Sequence, residues 1–588
     1  MVENSSDSVR GGVFRKGDVR LSDLAGRRKL PIGNSNFLTV VESSVFVDKS
    51  MLIADVLDGD SSVTLYCRPR RFGKSLNLSM LQRFFEEPSP SDPSACDTTA
   101  LFEGLAIWDA DDGRFREHHQ AYPVIRLALN DAKGLTWEDA LQALATNIAG
   151  EFLRHGYLKR SDALLEEERA RFLELASPGA DLPATLAQSL GILAGLLHKH
   201  HQHRVVILID EYDAPVMAAH TNGYYDKAVA FLKMWLTSAL KDNDALAFAC
   251  LTGVQRISKE SIFSDLNNLT VNTSLNVVSD ERYGFTEAEV EALAEYLGAK
   301  GSLDAARTWY DGYRFGSIDV YNPWSMLNYF SNGSTPDVYW GNTSGNSVLG
   351  DMVRRADERT WEKLYRLMEP TGTVEEALDT SVVFPDIGVR DGALWSMLYL
   401  AGYLTTDDTA LPGSPRRRRP LRIPNAEIAE LYRTEIIERY AEAAGGWERL
   451  EELHRTLMQG DAEGVRESLE SILFDSASYF DLKDENSYHM LMMGLLFGMP
   501  GYHDPLSNRE AGRGRFDILL QPCSEGAPIV LELKWTDRCD QRAEDELARL
   551  AQKALGQIED RSYVKSGAIA FGIAFSGKDC AVVSREIR

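Results

Sequence analysis

The sequence has few cysteines, and their spacing excludes two classes of stabilised scaffold. The six cysteines lie far apart, and none belongs to a CxxC pair: Cys67, Cys96, Cys250, Cys523, Cys539 and Cys580. A disulfide framework or a structural zinc site needs paired thiols at characteristic spacings. We therefore expect free thiols in a reducing compartment.

Long apolar segments are also missing. No segment reaches the roughly 18 uncharged apolar residues that a membrane-spanning helix requires, so no membrane partner is expected. The N-terminal sequence MVENSSDSVRGGVFRKGD has no apolar run behind its charges. It therefore differs from a signal peptide. Together these absences predict a cytoplasmic location.

The chain has fewer positively than negatively charged residues. The chain carries 63 Lys and Arg against 88 Asp and Glu, which gives a net charge of −25. This balance argues against broad nonspecific binding to nucleic acid, because such binding depends on neutralising phosphates, although local basic patches remain open. The 588 residues are 44% hydrophobic. That is enough for about three or four domains with substantial cores.

The first half of the chain alternates between strand and helix patterns. Residues 1–29 are polar and contain Gly and Ser, which predicts a flexible arm. Short apolar runs separated by helical patterns then follow over residues 30–280. These runs are VTLYC (63–67), AYPVIRLAL (121–129), RVVILID (204–210) and ALAFACLTG (245–253). The alternation predicts a doubly wound α/β domain with a parallel sheet.

The second half is more helical. Residues 281–392 are interpreted as a helical lid region, and residues 393–480 as a winged-helix-like and helical connector. In the winged-helix interpretation a cluster of arginines lies near the wing tip, consisting of Arg416, Arg417, Arg418 and Arg419. These side chains could bind phosphates, or they could belong to a charged, solvated loop. Residues 481–588 form a final unit of mixed pattern.

A candidate phosphate-binding loop follows the first apolar strand. The segment RPRRFGKS places Gly73, Lys74 and Ser75 between a strand and a helix. Backbone amides, a lysine and a hydroxyl in that order can hold nucleotide phosphates and magnesium. The segment departs from GxxxxGK[ST] because Arg68 replaces the first glycine, although Pro69 could impose the turn. Two further cations could contact phosphate, namely Arg70 and Arg71.

Acidic and polar residues follow the next predicted strands. RVVILID ends at Asp210, which could orient magnesium, and Glu211 comes next and could activate the attacking water. Thr252 ends the following strand, where it could sense the γ-phosphate. Arg256 lies just beyond and could stabilise transferred charge in its own or a neighbouring subunit, so a homo-oligomer is open.

Several longer segments make the chain recognisable. They are LPIGNSNF, VDKSMLI, RPRRFGKSLNLSML, LIDEYDAP, TGVQRISKESIFSDLNNL, and WYDGYRFG with YNPWSML. Over about residues 30–340 the sequence resembles the bacterial AAA-ATPase-like family, which is usually followed by a nuclease-like domain. The resemblance implies a P-loop ATPase fold, with Lys74, Ser75, Asp210 and Glu211 in an ATP site. It does not supply a substrate.

The C-terminal unit contains a second candidate site. Asp517 begins an apolar strand, and Glu532 and Lys534 lie two residues apart in the next strand, APIVLELKW. Residues i and i+2 of a strand share a face, so Leu531 and Leu533 are expected in the core. Carboxylates that hold a metal, with a lysine nearby, are typical of a magnesium-dependent phosphodiesterase.

This pattern resembles the PD-(D/E)xK nuclease superfamily. Glu485, which precedes a helix, looks like the upstream acid of that fold, and Gln557 looks like its helical glutamine. The resemblance implies metal ligation by Glu485, Asp517 and Glu532, and catalytic roles for Lys534 and Gln557.

Aromatic residues elsewhere are expected to pack in the core rather than to stack on bases, among them Trp324 and Trp340.

The sequence therefore predicts an ATP- and Mg²⁺-dependent bacterial enzyme, with Mn²⁺ as an alternative metal. Its nuclease-like domain would hydrolyse DNA or RNA under ATP control. A first alternative is an ATP-switched scaffold or regulator that binds nucleic acid without cutting it. A second alternative is a toxin or defence effector that acts on RNA.

Overall fold

The structure is a computed structural model that divides into two compact units. Unit 1 comprises Met1–Thr343 and Glu375–Glu427, and unit 2 comprises Ser344–Val374 and Ile428–Arg588. The structure describes residues 18–587 except 24–25, 27–28, 89–95, 178–184, 258–261, 264–265, 342–348, 351, 353–355, 370, 383–385, 387–389, 391, 410–417, 477–481, 483, 508–509, 512–513, 538–542 and 562–565.

The strands are numbered in chain order. β1 to β12 are Leu21–Ser22, Phe46–Val47, Val63–Cys67, Val124–Ala128, Val205–Asp210, Leu246–Gly253, Leu269–Asn272, Phe285–Thr286, Tyr313–Phe315, Ile318–Tyr321, Val374–Ala377 and Arg418–Leu421. β13 to β19 are Leu506–Ser507, Glu510–Ala511, Gly514–Arg515, Ile518–Leu520, Ile529–Trp535, Ile569–Ser576 and Asp579–Glu586.

The α-helices are numbered in the same way. α1 to α10 are Phe37–Ser43, Leu52–Leu57, Lys74–Phe85, Thr99–Phe102, Ala106–Asp109, Trp137–Arg154, Glu166–Ala176, Ser189–His201, Ala214–Asn222 and Tyr225–Leu240. α11 to α20 are Glu287–Leu297, Leu303–Tyr310, Pro323–Ser331, Glu358–Met368, Ala393–Ala401, Ala426–Ala443, Trp447–Gln459, Ala462–Ser476, Glu485–Leu496 and Ala543–Arg561. None of the described helices is long and apolar enough to cross a bilayer.

Unit 1 is built on a five-stranded parallel sheet in the order β4-β5-β6-β3-β7. The four strands predicted from the apolar runs are all present, and every residue of β5 is buried. Helices α6, α8 and α10 pack on one face of the sheet, and α3 packs on the other, where Phe85 contacts Phe248 beside Val206, so β5 is apolar on both faces. The predicted doubly wound α/β fold is thus confirmed.

The region predicted as a helical lid also contains strands. β8, β10 and β9 form a small antiparallel sheet, in which the WYDGYRFG segment supplies β9. Gly312 enters this hairpin with φ +124°, and an added Cβ would lie 1.9 Å from the carbonyl oxygen of Pro424. The close backbone approach therefore requires glycine here. Helix α11, which directly follows β8, has Thr286 as its N-cap, and Thr286 and Glu289 form a capping box.

The winged-helix interpretation is only partly supported. Helices α15 and α16 are present, but in the described part of the segment between them a single antiparallel bridge joins Thr405 to Arg422. β12 instead pairs with β11 from a distant part of the chain. The predicted wing-tip arginines differ accordingly, because Arg418 is exposed whereas Arg419 is buried beside Asp408, and both belong to β12. Residues Arg416 and Arg417 lie outside the described residues.

Unit 2 contains a five-stranded sheet in the order β13-β16-β17-β18-β19, in which only β17 and β18 run parallel. Helix α20 packs against one face through Leu555 and Ile558. Helix α19 packs on the opposite face, where the ring of Tyr488 stacks on Phe575 with centroids 4.6 Å apart. This two-sided covering makes β17 the central strand that positions the candidate nuclease residues.

The predicted domain boundaries differ from the division into two compact units, and the predicted N-terminal arm contains a strand. The boundaries after residues 280 and 392 fall inside unit 1, and the boundary after 480 falls inside unit 2, so all three stay predictions. Residues 1–17 of the arm lie outside the described residues. Leu21–Ser22, however, pairs with β2, and Leu21 packs on a hydrophobic core. Regular structure therefore begins before residue 30.

Candidate functional site

The predicted phosphate-binding loop connects β3 to α3. Gly73 is the N-cap of the helix and adopts φ +81°, a left-handed conformation that glycine tolerates best. Lys74 is the first helical residue, and Ser75 follows it half-buried in the first turn. The N-terminal amides of a helix attract anions because their N–H groups have no partner within the helix. The sequence-predicted loop and helix are therefore present.

Arg68, which replaces the first glycine of the motif, points into the protein. Its guanidinium is fully buried and donates to the backbone oxygens of Cys67 at 2.9 Å and Asn272 at 3.0 Å. It also donates to Asn272 Oδ1 at 2.7 Å and lies 5.1 Å from the ring centroid of Tyr283. Arg68 thus ties β3 to β7 beneath the loop, and it does not serve as a phosphate contact.

Lys74 lies inside the loop. Its ammonium donates to the carbonyl oxygens of Arg68 at 2.9 Å and Pro69 at 2.8 Å. Burial lowers the pKa of Lys74, and the negative charges of Glu211 and Asp210 partly oppose this effect. An ammonium has three protons, so one remains to donate to a phosphate oxygen after both carbonyls are satisfied.

The other two arginines of the loop are held from a distant part of unit 1. The carbonyl oxygen of Arg70 accepts from Asn322 Nδ2 at 3.4 Å and Trp340 Nε1 at 3.3 Å. Arg71 adopts φ +68°, and its guanidinium lies 4.2 Å from the ring centroid of Trp324. Both tryptophans were expected only to pack in the core, and no sequence signal indicated their contacts with this loop.

A buried carboxylate supports this arrangement. Glu427, at the start of α16, accepts from the backbone N of Trp340 at 2.7 Å and from Ser325 Oγ at 2.7 Å. Burial raises the pKa of Glu427 to about 7. Because Trp340 also donates its indole N–H to the Arg70 carbonyl, Glu427 indirectly helps to hold the phosphate-binding loop.

The acidic residues after β5 meet the end of β6. Asp210 Oδ1 accepts a hydrogen bond from the Thr252 hydroxyl and another from the backbone N of Glu211 at 3.1 Å. Glu211 itself adopts φ +48°, an uncommon conformation for a residue other than glycine. Such strain is often found at functional sites. The structure therefore brings Lys74, Asp210, Glu211 and Thr252 together as predicted.

Arg256 lies four residues beyond Thr252. Burial raises the pKa of Cys67 and of Tyr212, and the positive charge of Arg256 opposes both rises. Its Nε atom is buried and has no hydrogen-bond partner among the described residues. The donor set at this site comprises a lysine, an arginine, a hydroxyl and a carboxylate. These groups fit a nucleoside triphosphate bound with Mg²⁺, a metal ion that prefers oxygen ligands.

The candidate nuclease residues lie on and around β17. Leu531 and Leu533 are buried, as the alternation predicted. Lys534 Nζ lies 3.6 Å from Glu532 Oε1, which confirms that these two side chains share a face. Glu532 is itself only 1% exposed, so the site is enclosed by the fold rather than open on the surface of the sheet.

Helix α20 covers Glu532. Gln557 donates from Nε2 to Glu532 Oε1, which brings together two residues that the resemblance linked. Gly572 lies beside Glu532 in the parallel pair β17 and β18. An added Cβ on Gly572 would lie 2.1 Å from the carbonyl oxygen of Ala551 on α20. The missing side chain thus allows the helix close enough for Gln557 to reach Glu532.

Asp517 is fixed by its neighbours. Its Oδ2 accepts from the backbone N of Leu533 at 2.7 Å. His489 Nε2 lies 3.2 Å from the backbone oxygen of Asp517 and 3.0 Å from Ser507 Oγ. The sequence analysis missed His489, whose only signal was its position one turn after Glu485 in the same helix. Asp517 therefore contacts β17 at Leu533, the residue next to Glu532.

Glu485 does not join them as a third metal ligand. Its side chain is 52% exposed, and its Oε1 lies 3.8 Å from Lys534 Nζ. The described residues contain no group of three or more His, Cys, Asp or Glu side chains placed to hold a metal ion. The predicted three-carboxylate set is therefore not assembled. Asp517 and Glu532 still supply the oxygen donors that Mg²⁺ and Mn²⁺ prefer.

Comparison with known proteins agrees with both halves of this description. Residues 31–263 match the AAA-ATPase_like family, described as predicted AAA-ATPase, and residues 483–585 match the PD-(D/E)XK nuclease superfamily. A protein of Azotobacter chroococcum mcd 1, described as an uncharacterized protein in the vnfD 5′ region, is 30% identical over 448 residues. That alignment covers 75% of this chain and 76% of the relative.

A solved structure is similar at lower identity. The Walker-type ATPase of Pyrococcus abyssi has 14% identity and a TM-score of 0.34, over 66% of this chain and 94% of that one. The family matches occur in the order that the sequence motifs predicted, and the Azotobacter relative is aligned over about three quarters of both chains. The chain therefore belongs to the family of AAA-ATPase-like proteins that carry a C-terminal PD-(D/E)XK nuclease superfamily domain.

Proposed function

We propose that the protein hydrolyses ATP in its AAA-ATPase-like domain and, under the control of ATP, cleaves nucleic acid in its PD-(D/E)XK domain. The observation that carries the first part is the Lys74 ammonium, which donates to two loop carbonyls and lies close enough to Glu211 and Asp210 for their charges to act on it. In this proposal the γ-phosphate binds between this cation and the candidate base Glu211.

The residues of the ATP site have separate roles. Lys74 would donate to the β- and γ-phosphate oxygens, and Ser75 and Asp210 would hold Mg²⁺. When bound, this metal neutralises charge on the phosphates. Glu211 would take the proton of the attacking water. Thr252 would orient Asp210 through the hydroxyl hydrogen bond that it already donates.

The second part of the proposal rests on β17. Asp517 and Glu532 would hold Mg²⁺ or Mn²⁺, which when bound lowers the pKa of a water molecule and stabilises developing charge. Lys534 would donate to an oxygen of the scissile phosphate. Gln557 would keep the Glu532 carboxylate in its orientation through the amide hydrogen bond. DNA and RNA are both proposed substrates.

One observation supports a non-cleaving alternative. Lys534 lies within 4 Å of both Glu532 and Glu485, at 3.6 and 3.8 Å. An ammonium that neutralises two carboxylates competes with a divalent cation for the same negative charge. If this competition prevails, the domain would bind nucleic acid in an ATP-switched manner without cutting it.

The deciding experiment incubates purified protein with a panel of DNA and RNA, with Mg²⁺ or Mn²⁺, and with or without ATP. We expect metal-dependent cleavage that changes with ATP and disappears in Glu532→Ala and Asp517→Ala. Glu525→Ala, on an exposed loop of the same domain, is the matched control. Cleavage of RNA alone would favour the RNA-directed effector, and binding without cleavage under every condition would favour the scaffold.

The ATPase is tested in the same preparations. Glu211→Gln keeps the size of the side chain but removes the proton acceptor, so we expect it to bind ATP and to release little phosphate. A colorimetric phosphate assay and isothermal titration with ATP separate these two properties. Hydrolysis at the parental rate in Glu211→Gln would show that another group is the base.

A further inference from the structure

The two residues after Glu211 hold the chain segment that follows β6. Asp213 Oδ2 accepts from the backbone N of Val254 at 2.8 Å and of Gln255 at 2.9 Å. The Tyr212 hydroxyl donates to the carbonyl oxygen of Gln255 at 2.7 Å and accepts from the backbone N of Ile257 at 2.9 Å. Four hydrogen bonds therefore fix residues 254–257 to the loop that carries Glu211.

The contact between these two segments is very close. Tyr212 is fully buried, Asp213 is 2% exposed, and the backbone N of Tyr212 donates to the Thr252 carbonyl at 3.0 Å. An added Cβ on Gly253 would lie 2.7 Å from Tyr212 Cε1 and 2.9 Å from Asp213 Oδ1. No larger residue fits at position 253 without moving the tyrosine ring. The two segments therefore behave as one piece of structure.

Arg256 lies in the middle of the held segment. Its neighbours on both sides, Gln255 and Ile257, bond to Tyr212. The Nε atom of Arg256 is buried with no hydrogen-bond partner among the described residues. The hydrogen bonds of Gln255 and Ile257 therefore fix the backbone position from which the Arg256 side chain extends.

We propose that Tyr212 and Asp213 are positioning residues, which place Arg256 against the γ-phosphoryl group and link its position to that of Glu211. This inference rests on the proposed ATP hydrolysis. In that reaction the water oxygen bonds to the γ-phosphorus while the bond from the γ-phosphorus to the bridging oxygen breaks. The bonding electron pair leaves with ADP, and Glu211 takes the water proton. Arg256 stabilises the negative charge on the transferred group.

The test removes the tyrosine hydroxyl and keeps its ring. In Tyr212→Phe, Ile257 N and the Gln255 carbonyl lose their partner, so Arg256 is less well placed. A small displacement of a catalytic group can cost on the order of 10²-fold in rate, and we expect kcat to fall by about that factor. The dissociation constant for ATP should stay within about twofold, because Lys74 and the loop are unchanged.

A double mutant separates positioning from general weakening of the fold. If Tyr212 acts through Arg256, adding Tyr212→Phe to Arg256→Ala should cause no further loss of kcat. If Tyr212→Phe instead weakens the fold in general, the losses of kcat in the two single mutants should multiply in the double mutant. The matched control is Tyr224→Phe, which removes another buried tyrosine hydroxyl bonded to a backbone carbonyl, that of Gly134. We expect this control to keep the parental kcat.

Each outcome decides the inference. A parental kcat in Tyr212→Phe, or multiplied losses in the double mutant, would overturn it while leaving ATP hydrolysis established. A parent that does not hydrolyse ATP would overturn the proposed function and, with it, this inference. If Tyr212→Phe fails to fold, Asp213→Asn takes its place, because it weakens two of the four bonds at constant volume. We then expect a smaller loss of kcat that is also absent on the Arg256→Ala background.

Discussion

Each of the two candidate sites contains a lysine, but the surroundings of the two lysines differ. Lys74 donates to two neutral carbonyl oxygens, those of Arg68 and Pro69, and is 7% exposed. Lys534 donates to one carbonyl oxygen, that of Leu533 at 2.6 Å, and also lies near the carboxylates of Glu532 and Glu485. The hydrogen bonds of the first cation go to neutral carbonyls, with the charges of Glu211 and Asp210 nearby, whereas the second cation lies within 4 Å of two carboxylates.

This difference suggests how each site would respond to a ligand. The hydrogen bonds of the Lys74 ammonium go to two neutral carbonyls and leave one proton, so the cation can donate to an incoming phosphate. The Lys534 ammonium already balances carboxylate charge, so a divalent metal must share or displace that interaction. We therefore expect the nucleotide site to lose most when its lysine is removed. The nuclease site should lose activity and gain metal affinity.

The largest expected effect is at the nucleotide site. Lys74→Ala should weaken ATP binding by on the order of 10²-fold, because a charge-assisted hydrogen bond to phosphate contributes about 1.5–3 kcal/mol. Isothermal titration with ATP and Mg²⁺ measures this change. The control is Lys300→Ala, which removes an exposed ammonium paired with Glu295. Unchanged affinity in Lys74→Ala would mean that the loop does not bind the nucleotide.

The second effect tests the competition at the nuclease site. Lys534→Met keeps most of the side-chain volume and removes the charge, so cleavage should fall by about 10²-fold. Mn²⁺ affinity should rise by roughly tenfold, because the carboxylates lose their counter-ion. Titration of Mn²⁺ by electron paramagnetic resonance measures the affinity. Lys578→Met is the exposed control in the same unit, and weaker Mn²⁺ binding in Lys534→Met would contradict the competition.

The third effect concerns the arginine that replaces the first loop glycine. Arg68→Met should lower the free energy of unfolding by about 3 kcal/mol, because Asn272 loses its bonds to a buried cation. Arg71→Met removes an exposed cation that rests on Trp324, so the loss should stay below about 1 kcal/mol. Urea denaturation of the full chain compares the two variants. Equal stabilities would show that Arg68 is not a structural tie.

The parts of the fold that could be predicted are those with a local signal. The uninterrupted apolar run of β5 predicted a strand of a parallel sheet, and the alternation of Glu532 and Lys534 predicted a shared face. β7 was missed because Leu269–Asn272 is short and half-buried. The pairing of β11 with β12 joins distant segments, which no local periodicity reveals.

The same limit applies to the sites. The sequence predicted Lys74, Asp210, Glu211 and Thr252 because each follows a recognisable strand, and the structure brings them together. The residues that hold the phosphate-binding loop lie far along the chain, since Asn322 and Trp340 are 252 and 270 residues from Arg70. Glu485 carried the right motif but pairs with Lys534, because only the packing of α19 decides which groups its side chain reaches.

The smallest expected effect concerns Glu427. This buried carboxylate accepts hydrogen bonds from neutral groups, whereas the acids near Lys74 and Lys534 have a cation beside them. Burial raises the pKa of Glu427 to about 7, above its ordinary value of 4.5. The folded state therefore favours the protonated form. Its contribution to stability is complete below the ordinary pKa and is lost as the pH rises through about 7. The slope is at most about 1.4 kcal/mol per pH unit.

Glu427→Gln cannot titrate, yet its amide oxygen can still accept from the backbone of Trp340. We therefore expect the free energy of unfolding of the parent to fall more steeply between pH 5 and pH 7 than that of Glu427→Gln, when both are measured by urea denaturation. Glu525→Gln, an exposed substitution, should keep the parental slope. Identical slopes in the parent and Glu427→Gln would mean that Glu427 is ionised throughout this range. The loop would then be held beside a buried negative charge that a nearby cation must balance, as at the nuclease site.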